Sequence, residues 1–346
     1  SAMDGYAVRR EEAQPGATLK VVGEAAAGHG SQQSLGPGQA IRIFTGAPVP
    51  AGADDIVIQE DVERDGVTIT IRANRDTASY IRPAGGDFEQ GHRLVAPRVL
   101  TPGDIALVAG MNFGLVPVRR RPVIALVPTG DELRQPGSEL GQDQIISTSS
   151  YGLKALFDGL GAETRLLPIA KDTTEALADT LALARDADLI VTLGGASVGD
   201  HDLVQEVAQT QGLDLSFYKV AIRPGKPLMA GTLGAAVMIG LPGNPVSAMV
   251  CAHIFVRPAL SALLGLPTGP LAREVARLTT DLGPNGPREH YMRARLTREG
   301  PRLSCEVFER QDSSLTSVFA QANGLAVRPV RDPARKAGDE IEVIWL

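Results

Sequence analysis

Five apolar or β-branched residues, Leu189–Leu193, run directly into Gly194-Gly195. A run of this length without polar alternation reads as a strand buried on both faces. The paired glycines free its carboxyl end to bring backbone amides close to an anion. Strands covered on both faces belong to parallel sheets flanked by helices, and the preceding sequence repeats that pattern. From Pro122 a strand at 123–127 leads to the turn PTGDEL, a helix at about 149–159 stops at Gly161, and a strand at 164–169 leads to Ala170-Lys171-Asp172. A second helix, at about 174–185, precedes the strand at Leu189. Strand alternating with helix predicts a parallel-sheet α/β domain over 122–270.

The rest of the chain reads differently. Residues 1–86 carry short β-branched runs at 19–22, 40–44, 56–58 and 67–71 between Gly- and Pro-rich turns, which predicts a small N-terminal β domain. Asp4 in MDGYA and Thr45 in TGAPVP are each followed by Gly, so both are expected to present side chains from exposed loops. Asp4 reads equally well as the closing residue of an Asp-Gly turn. Residues 87–121, with a short helix at 101–110 capped by Thr101, read as a connecting or dimerisation segment. After 270, strand-like runs at 289–296, 303–308 and 341–344 separated by Pro/Gly turns predict a C-terminal β-barrel over 271–346. The expected class is therefore α/β multidomain, with the parallel-sheet domain flanked by these pieces.

Composition bounds the function. A chain of 346 residues exceeds a single core, and 43% hydrophobic with 21% charged residues is globular. No uninterrupted apolar run approaches the roughly 18 residues of a membrane span, and SAMDGYAVRR lacks the regions of a signal peptide. A cytoplasmic protein with no membrane partner is expected. A net charge of −6 argues against broad nucleic-acid binding. Two distant cysteines, Cys251 and Cys305, argue for reduced thiols.

In parallel sheets, ligands bind beyond the carboxyl ends of the strands. Acids follow three of the predicted strands: Asp131 and Glu132, then Asp172, then Asp200 and Asp202. Positive charge follows at Lys219, Arg223 and Lys226, the last two within Arg-Pro-Gly-Lys-Pro. A second loop, Leu241-Pro242-Gly243-Asn244-Pro245, opens a helix with Asn244 as N-cap and Pro245 in the first turn. Helix N-termini and glycine loops attract anions, so the combination points to a phosphorylated ligand with a divalent cation. Carboxylates suit Mg²⁺, with Asp172 and Asp202 as its candidate ligands, whereas the five scattered histidines do not form a zinc site. Gly195-Ala196-Ser197-Val198-Gly199 also matches the nucleophile elbow of serine hydrolases. That alternative makes Ser197 a nucleophile and requires His253 or His290 as its base.

Taken together, SAMDGYAVR, IRIFTGAPVP, RPAGGD, TGDEL, GGASVGDHD, RPGKP and GLPGNPVSA occur in the order found in the molybdopterin molybdenumtransferases of the MoeA family, which the whole chain resembles. Gephyrin's E domain is related to that family. The resemblance implies a four-part protomer, an elongated homodimer, and Mg²⁺-dependent insertion of molybdate into adenylylated molybdopterin with release of AMP. Carried over by motif, the functional acids are Asp4, Asp87, Glu132, Asp172 and Asp202. Thr45, Gly194, Gly195, Ser197, Gly199, Lys219, Arg223, Lys226, Pro242, Gly243, Asn244 and Pro245 line the cleft, joined by Arg293 and Ser313 through a looser match. The resemblance further implies that Asp4 and Thr45 complete the site across the dimer. It also implies an upstream molybdopterin adenylyltransferase and downstream molybdoenzymes or chaperones as partners. Three departures stand out: 87–121 reads as the remainder of a truncated N-terminal domain, Arg223 replaces a frequent Lys, and Leu203 replaces a frequent Tyr. A molybdopterin-binding scaffold without turnover is the other reading of the same fold.

Overall fold

The computed structural model describes residues 1–195 and 203–346. Ser197, Gly199, Asp200 and Asp202 lie outside the described residues. The chain divides into two compact units, Ser1–Val95 and Ala96–Leu346.

The first unit holds β1 (Gly5–Val8), β2 (Thr18–Ala25), β3 (Gln39–Ile43), β4 (Asp55–Ile58), β5 (Val62–Asp65) and β6 (Thr68–Ile71), in one sheet of order β4-β1-β3-β2-β6-β5. Alternation along β1 sends Tyr6 and Val8 into one apolar cluster and Ala7 into another on the opposite face. The strand is accordingly buried throughout. Gly5 opens it because β4 passes so close that a Cβ there would lie 2.2 Å from the Val57 carbonyl oxygen.

The second unit begins with α1 (Pro102–Gly110), whose N-cap Thr101 forms a full capping box with Asp104. Then follow β7 (Val123–Pro128), β8 (Leu133–Arg134), β9 (Ile145–Ile146), α2 (Thr148–Gly159), β10 (Glu163–Leu166), α3 (Thr174–Ala182), β11 (Leu189–Leu193) and α4 (Leu203–Thr210). Next come β12 (Leu213–Tyr218), β13 (Ile222–Arg223), β14 (Met229–Leu233), β15 (Ala236–Leu241), α5 (Pro245–Cys251) and α6 (Arg257–Leu263). The sheet order is β10-β7-β11-β15-β14-β12. Its first four strands run parallel, and the last two pairings, β15 with β14 and β14 with β12, are antiparallel. The expected parallel sheet thus carries an antiparallel edge, formed by a stretch that sequence patterning reads only as a basic segment. Helices cover both faces: α2, α5 and α6 pack over one, α3 and α4 over the other.

Pro245–Leu263 is continuous helix, 19 residues long and apolar enough in length and composition to cross a membrane. Its Val246, Ala248, Val250, Cys251, Ala252, Val256 and Leu260 are instead buried in the α/β core. A π-helical stretch, Ala252–Val256, lies just ahead of Pro258. Proline has no N–H for the carbonyl one turn back, and the register loosens there.

The chain ends with β16 (Glu274–Leu278), β17 (Glu289–Glu299), β18 (Arg302–Val307), the short α7 (Thr316–Phe319), β19 (Gly324–Arg328) and β20 (Glu340–Trp345). Pairing runs β17-β18-β16-β20-β19 and back to β17, a closed five-stranded barrel. Strand β13, from the Arg-Pro-Gly-Lys-Pro segment, adds to its outside by pairing with β17. Tyr291, Leu325, Val327 and Ile344 share one core with α5 and α6, so barrel and α/β domain are packed together. Cys251 and Cys305 are buried and unpaired, and burial pushes both thiols up to about 12.

Backbone, unlike a flexible side chain, cannot yield to a new methyl at Gly5. Gly5→Ala is expected to destabilise the first unit by about 2 kcal/mol or more, read as a lower urea midpoint at unchanged m.

Candidate functional site

Among the parallel strands, chain order is β7, β10, β11, β15, but spatial order is β10-β7-β11-β15. Connections therefore leave in opposite directions from β7 and β11, and a crevice opens beyond their carboxyl ends. A cavity of about 970 Å³ occupies this position. Thr129 and Gly130 after β7, Gly194 and Gly195 after β11, and Pro242, Gly243, Asn244 and Pro245 after β15 line it. The loops touch: a Cβ on Gly243 would be 3.5 Å from the Gly194 Cα. Gly194 and Gly195 have φ of +88° and +68°, and a Cβ on Gly195 would lie 2.1 Å from Val204 Cγ2. Only glycine lets α4 and this loop approach so closely.

Glu132 and Asp172 also line the cavity. The bridge between Thr129 and Ala170 sets their two turns side by side, with the Asp172 amide 3.4 Å from Asp131 Oδ1. Burial raises the Asp172 carboxyl above its ordinary range, and the charges of Asp131 and Glu132 raise it further. Like charges held together with oxygen ligands only are a donor set suited to a hard cation. Mg²⁺ uses one or two carboxylates plus water and phosphate oxygens. Among the described residues, no three His, Cys, Asp or Glu groups converge into a closed metal cage.

Sequence reading missed the N-terminus of α2. Ser147, Thr148 and Ser149 line the cavity, while the Ser147 hydroxyl is turned to Ser150 Oγ at 2.6 Å and caps no amide. Serines and threonines at a helix start are so ordinary that no sequence signal separates these from common caps. Asn244 has an N-cap backbone, as expected, but its side chain makes no capping hydrogen bond, so both helix starts offer uncapped amides.

The basic residues line no part of the cavity. Lys219, Arg223 and Lys226 are exposed, on the turn where the Lys219 amide donates to Leu228 O and Val220 to Lys226 O. Arg293, on β17, is fully buried. Its Nη2 donates to the carbonyls of Asp312 (2.9 Å) and Arg310 (3.3 Å), but Nε and Nη1 have no partner among the described residues. Burial pushes this guanidinium down to about 10, opposed by Asp312 and reinforced by Arg223. Gln311 holds the arrangement. Its side-chain amide accepts from Arg293 N and donates to Arg293 O and Phe308 O. The same loop brings Ser313 O to the Val246 amide of α5 at 3.0 Å. Ser314, rather than Ser313, lines the cavity.

In the first unit, Asp4 and Thr45 do not stand as independent loop residues. Asp4 Oδ1 accepts from both the Thr45 amide and hydroxyl, each at 2.8 Å, and these bonds lower the Asp4 carboxyl below its ordinary value. Asp87 lines a separate shallow depression with Glu89 and His92. As for the hydrolase alternative, His253 and His290 are buried, at 5% and 6% exposure. Neither lines the cavity that holds Gly194 and Gly195.

Known proteins share this arrangement. The MoeA N-terminal region (domain I and II) matches residues 1–112, a probable molybdopterin binding domain matches 125–262, and the MoeA C-terminal region (domain IV) matches 275–346. A molybdopterin molybdenumtransferase of Nostoc sp. is 35% identical over all of this chain and 82% of its own length. The chain belongs to the molybdopterin molybdenumtransferase (MoeA) family. Molybdopterin molybdenumtransferase 2 of Mycobacterium tuberculosis is 34% identical over 99% of the chain and 87% of the relative. The crystal structure of a MoeA protein from Pyrococcus horikoshii superposes with a TM-score of 0.84 at 30% identity, covering all of this chain and 86% of that one. Family membership thus agrees with the mixed α/β sheet and the closed barrel.

A carboxyl whose folded-state value lies above its unfolded value favours the protonated native state. Stability is then lost as pH rises from the unfolded to the folded value, and the deficit persists above. Asp172→Asn removes it. The variant is expected to melt higher than the parent at pH 7, by no more than about 1 kcal/mol because the site is open to solvent. Calorimetry should show the advantage vanishing as pH falls below the ordinary carboxylate range.

Proposed function

We propose that this protein is a molybdopterin molybdotransferase, an enzyme of molybdenum cofactor biosynthesis in the cytoplasm. It inserts molybdate into adenylylated molybdopterin with Mg²⁺ and releases AMP. The observation that carries the reading is the switch-point cavity, where uncapped backbone amides and mutually repelling carboxylates line one space. Such a space suits a phosphorylated ligand that arrives with a cation.

The amides around Gly194, Gly195 and Gly243, with the helix starts at Thr148 and Pro245, hold the phosphates and fix the phosphoanhydride. Asp172 and Glu132, with Asp202 by its motif, would hold Mg²⁺, which supplies charge neutralisation on the anhydride oxygens. Molybdate is a dianion. Lys219, Arg223 and Lys226 draw it in by long-range attraction, and the unsatisfied Nε and Nη1 of Arg293 give it a buried fork to bind. Gln311 keeps that fork in register with Ser313 and Ser314. No covalent protein nucleophile is required, so Ser197 belongs to the anion loop.

The decisive assay mixes the protein with adenylylated molybdopterin, molybdate and Mg²⁺ and follows AMP. Release is expected to require both inorganic ions, with kcat reduced about 100-fold or more in Asp172→Asn. Tight binding without AMP release would leave only the scaffold reading, and would also remove the need for an upstream adenylyltransferase and downstream molybdoenzymes as partners.

We also propose a homodimer formed through 99–118. Helix α1 buries only Asp104, while Val99, Ile105, Phe113, Leu115 and Val118 are 58% to 93% exposed. Large apolar side chains exposed this densely along one segment mark an interface. Phe113→Asp with Leu115→Asp is expected to sediment as a monomer where the parent sediments as a dimer. Unchanged sedimentation would exclude this surface.

A further inference from the structure

We propose that the Thr129 hydroxyl is a positioning group that holds the loop at Gly194-Gly195 in its phosphate-binding shape, a role that rests on the assignment of phosphates to that loop above. Thr129 is the first residue beyond β7, is 3% exposed and lines the cavity. On one flank its backbone bridges to Ala170, and the Gly130 amide donates to Ala170 O at 3.1 Å. On the other flank its amide donates to Leu193 O at 2.9 Å and its hydroxyl donates to the same oxygen at 3.2 Å. The amide alone satisfies that carbonyl. Valine in place of Thr129 would leave no buried group there unpaired, so stability by itself does not call for a hydroxyl.

What the second bond adds is orientation. A carbonyl oxygen can accept twice, and two donors converging on it from one residue resist rotation of the Leu193-Gly194 peptide plane. The amide at the other end of that plane has only a long bond, 3.3 Å to Leu241 O. The next two residues do not fix the loop themselves, because glycine at φ of +88° and +68° visits other conformations as readily. The hydroxyl also lies against both of them: a Cβ on Gly194 would stand 3.0 Å from Thr129 Oγ1, and one on Gly195 3.3 Å from it. Threonine suits the task, since branching at Cβ leaves χ1 few alternatives. One buried side chain thus sets the plane from which the glycine loop departs, and with it the direction in which the loop's amides point.

Thr129→Val keeps the shape and loses the donor, whereas Thr129→Ser keeps the donor. With turnover of the full chain followed as AMP release, the valine variant is expected to raise KM for adenylylated molybdopterin about tenfold while kcat stays within about threefold, and the serine variant to stay within about threefold of the parent in both. The Mg²⁺ concentration for half-maximal rate should not move in either, because the Asp172 turn is held through the Thr129 backbone, which both variants keep. Near-UV circular dichroism reports the fold, and should the valine variant fail to fold, Thr129→Ala takes its place. A folded variant without the hydroxyl that keeps the parent's KM overturns the role and leaves the proposed function standing. If the parent releases no AMP, the transferase reading falls, and calorimetric titration of the same proteins with AMP decides. Weaker binding in the variant without the hydroxyl alone then sustains the role, and equal affinity, or no binding by the parent, overturns it.

Discussion

The last rung between β7 and β11 governs the site. Thr129 donates to Leu193 O through its amide at 2.9 Å and through its hydroxyl at 3.2 Å, and the Gly194 amide reaches Leu241 O at 3.3 Å. Beyond these bonds the described ladder between β7 and β11 gives way to loops. The strands hand over to loops that leave in opposite directions, because β7 connects outward to β10 and β11 connects outward to β15 on the other side. Everything assigned to the cavity hangs from this point: the acids of the turn after β7, Asp172 drawn alongside through the bridge to Ala170, and the two glycine loops pressed against each other.

Much of this was legible in the sequence. The apolar run at Leu189–Leu193, the glycines behind it and the acids after successive strands are direct consequences of burial on two faces and of ligand binding at strand ends, so their spacing carries them. The capping box at Thr101 and the proline at the start of α5 are equally local. What escaped was non-local. The strands β12, β14 and β15 contain Gly231, Gly240 and charged or polar breaks, and they gain strand structure from their neighbours more than from their own propensity. Ser147, Thr148 and Ser149 carry no distinctive chemistry, and only the fold brings their helix start to the crevice. Arg293 could be named from a motif, but its burial and its unpaired nitrogens follow from closure of the barrel, which no local pattern encodes.

Asp4 and Thr45 teach a related lesson. Two residues read as free loop groups are each other's partners, and the hydrogen bonds that hold the carboxylate also lower its proton affinity. Such a group is a poor general base at neutral pH and a good fixed acceptor. Because these bonds run to Thr45 on a separate loop, they tie two loops together instead of closing the Asp-Gly turn, and they leave the carboxylate charged and oriented.

Unbalanced charge of both signs marks the second unit. Asp131, Glu132 and Asp172 repel one another around the cavity, while Arg223, Arg293, Arg288 and Arg328 do the same around His290 on the barrel side. Arg328 is paired with Asp332, whereas Arg223, Arg288 and Arg293 have no ion pair among the described residues, and Arg293 is fixed through backbone carbonyls by a loop that Gln311 clamps. A fold selected only for stability would pair these charges or replace them with apolar groups. The acids instead stay beside the amide loops, and Arg293 stays bonded to the loop that brings Ser314 to the cavity. In the proposed function a cation bound to phosphates would relieve the first cluster. The loop 310–314 accepts the Val246 amide at Ser313 O, and this bond fixes Arg293 relative to the start of α5.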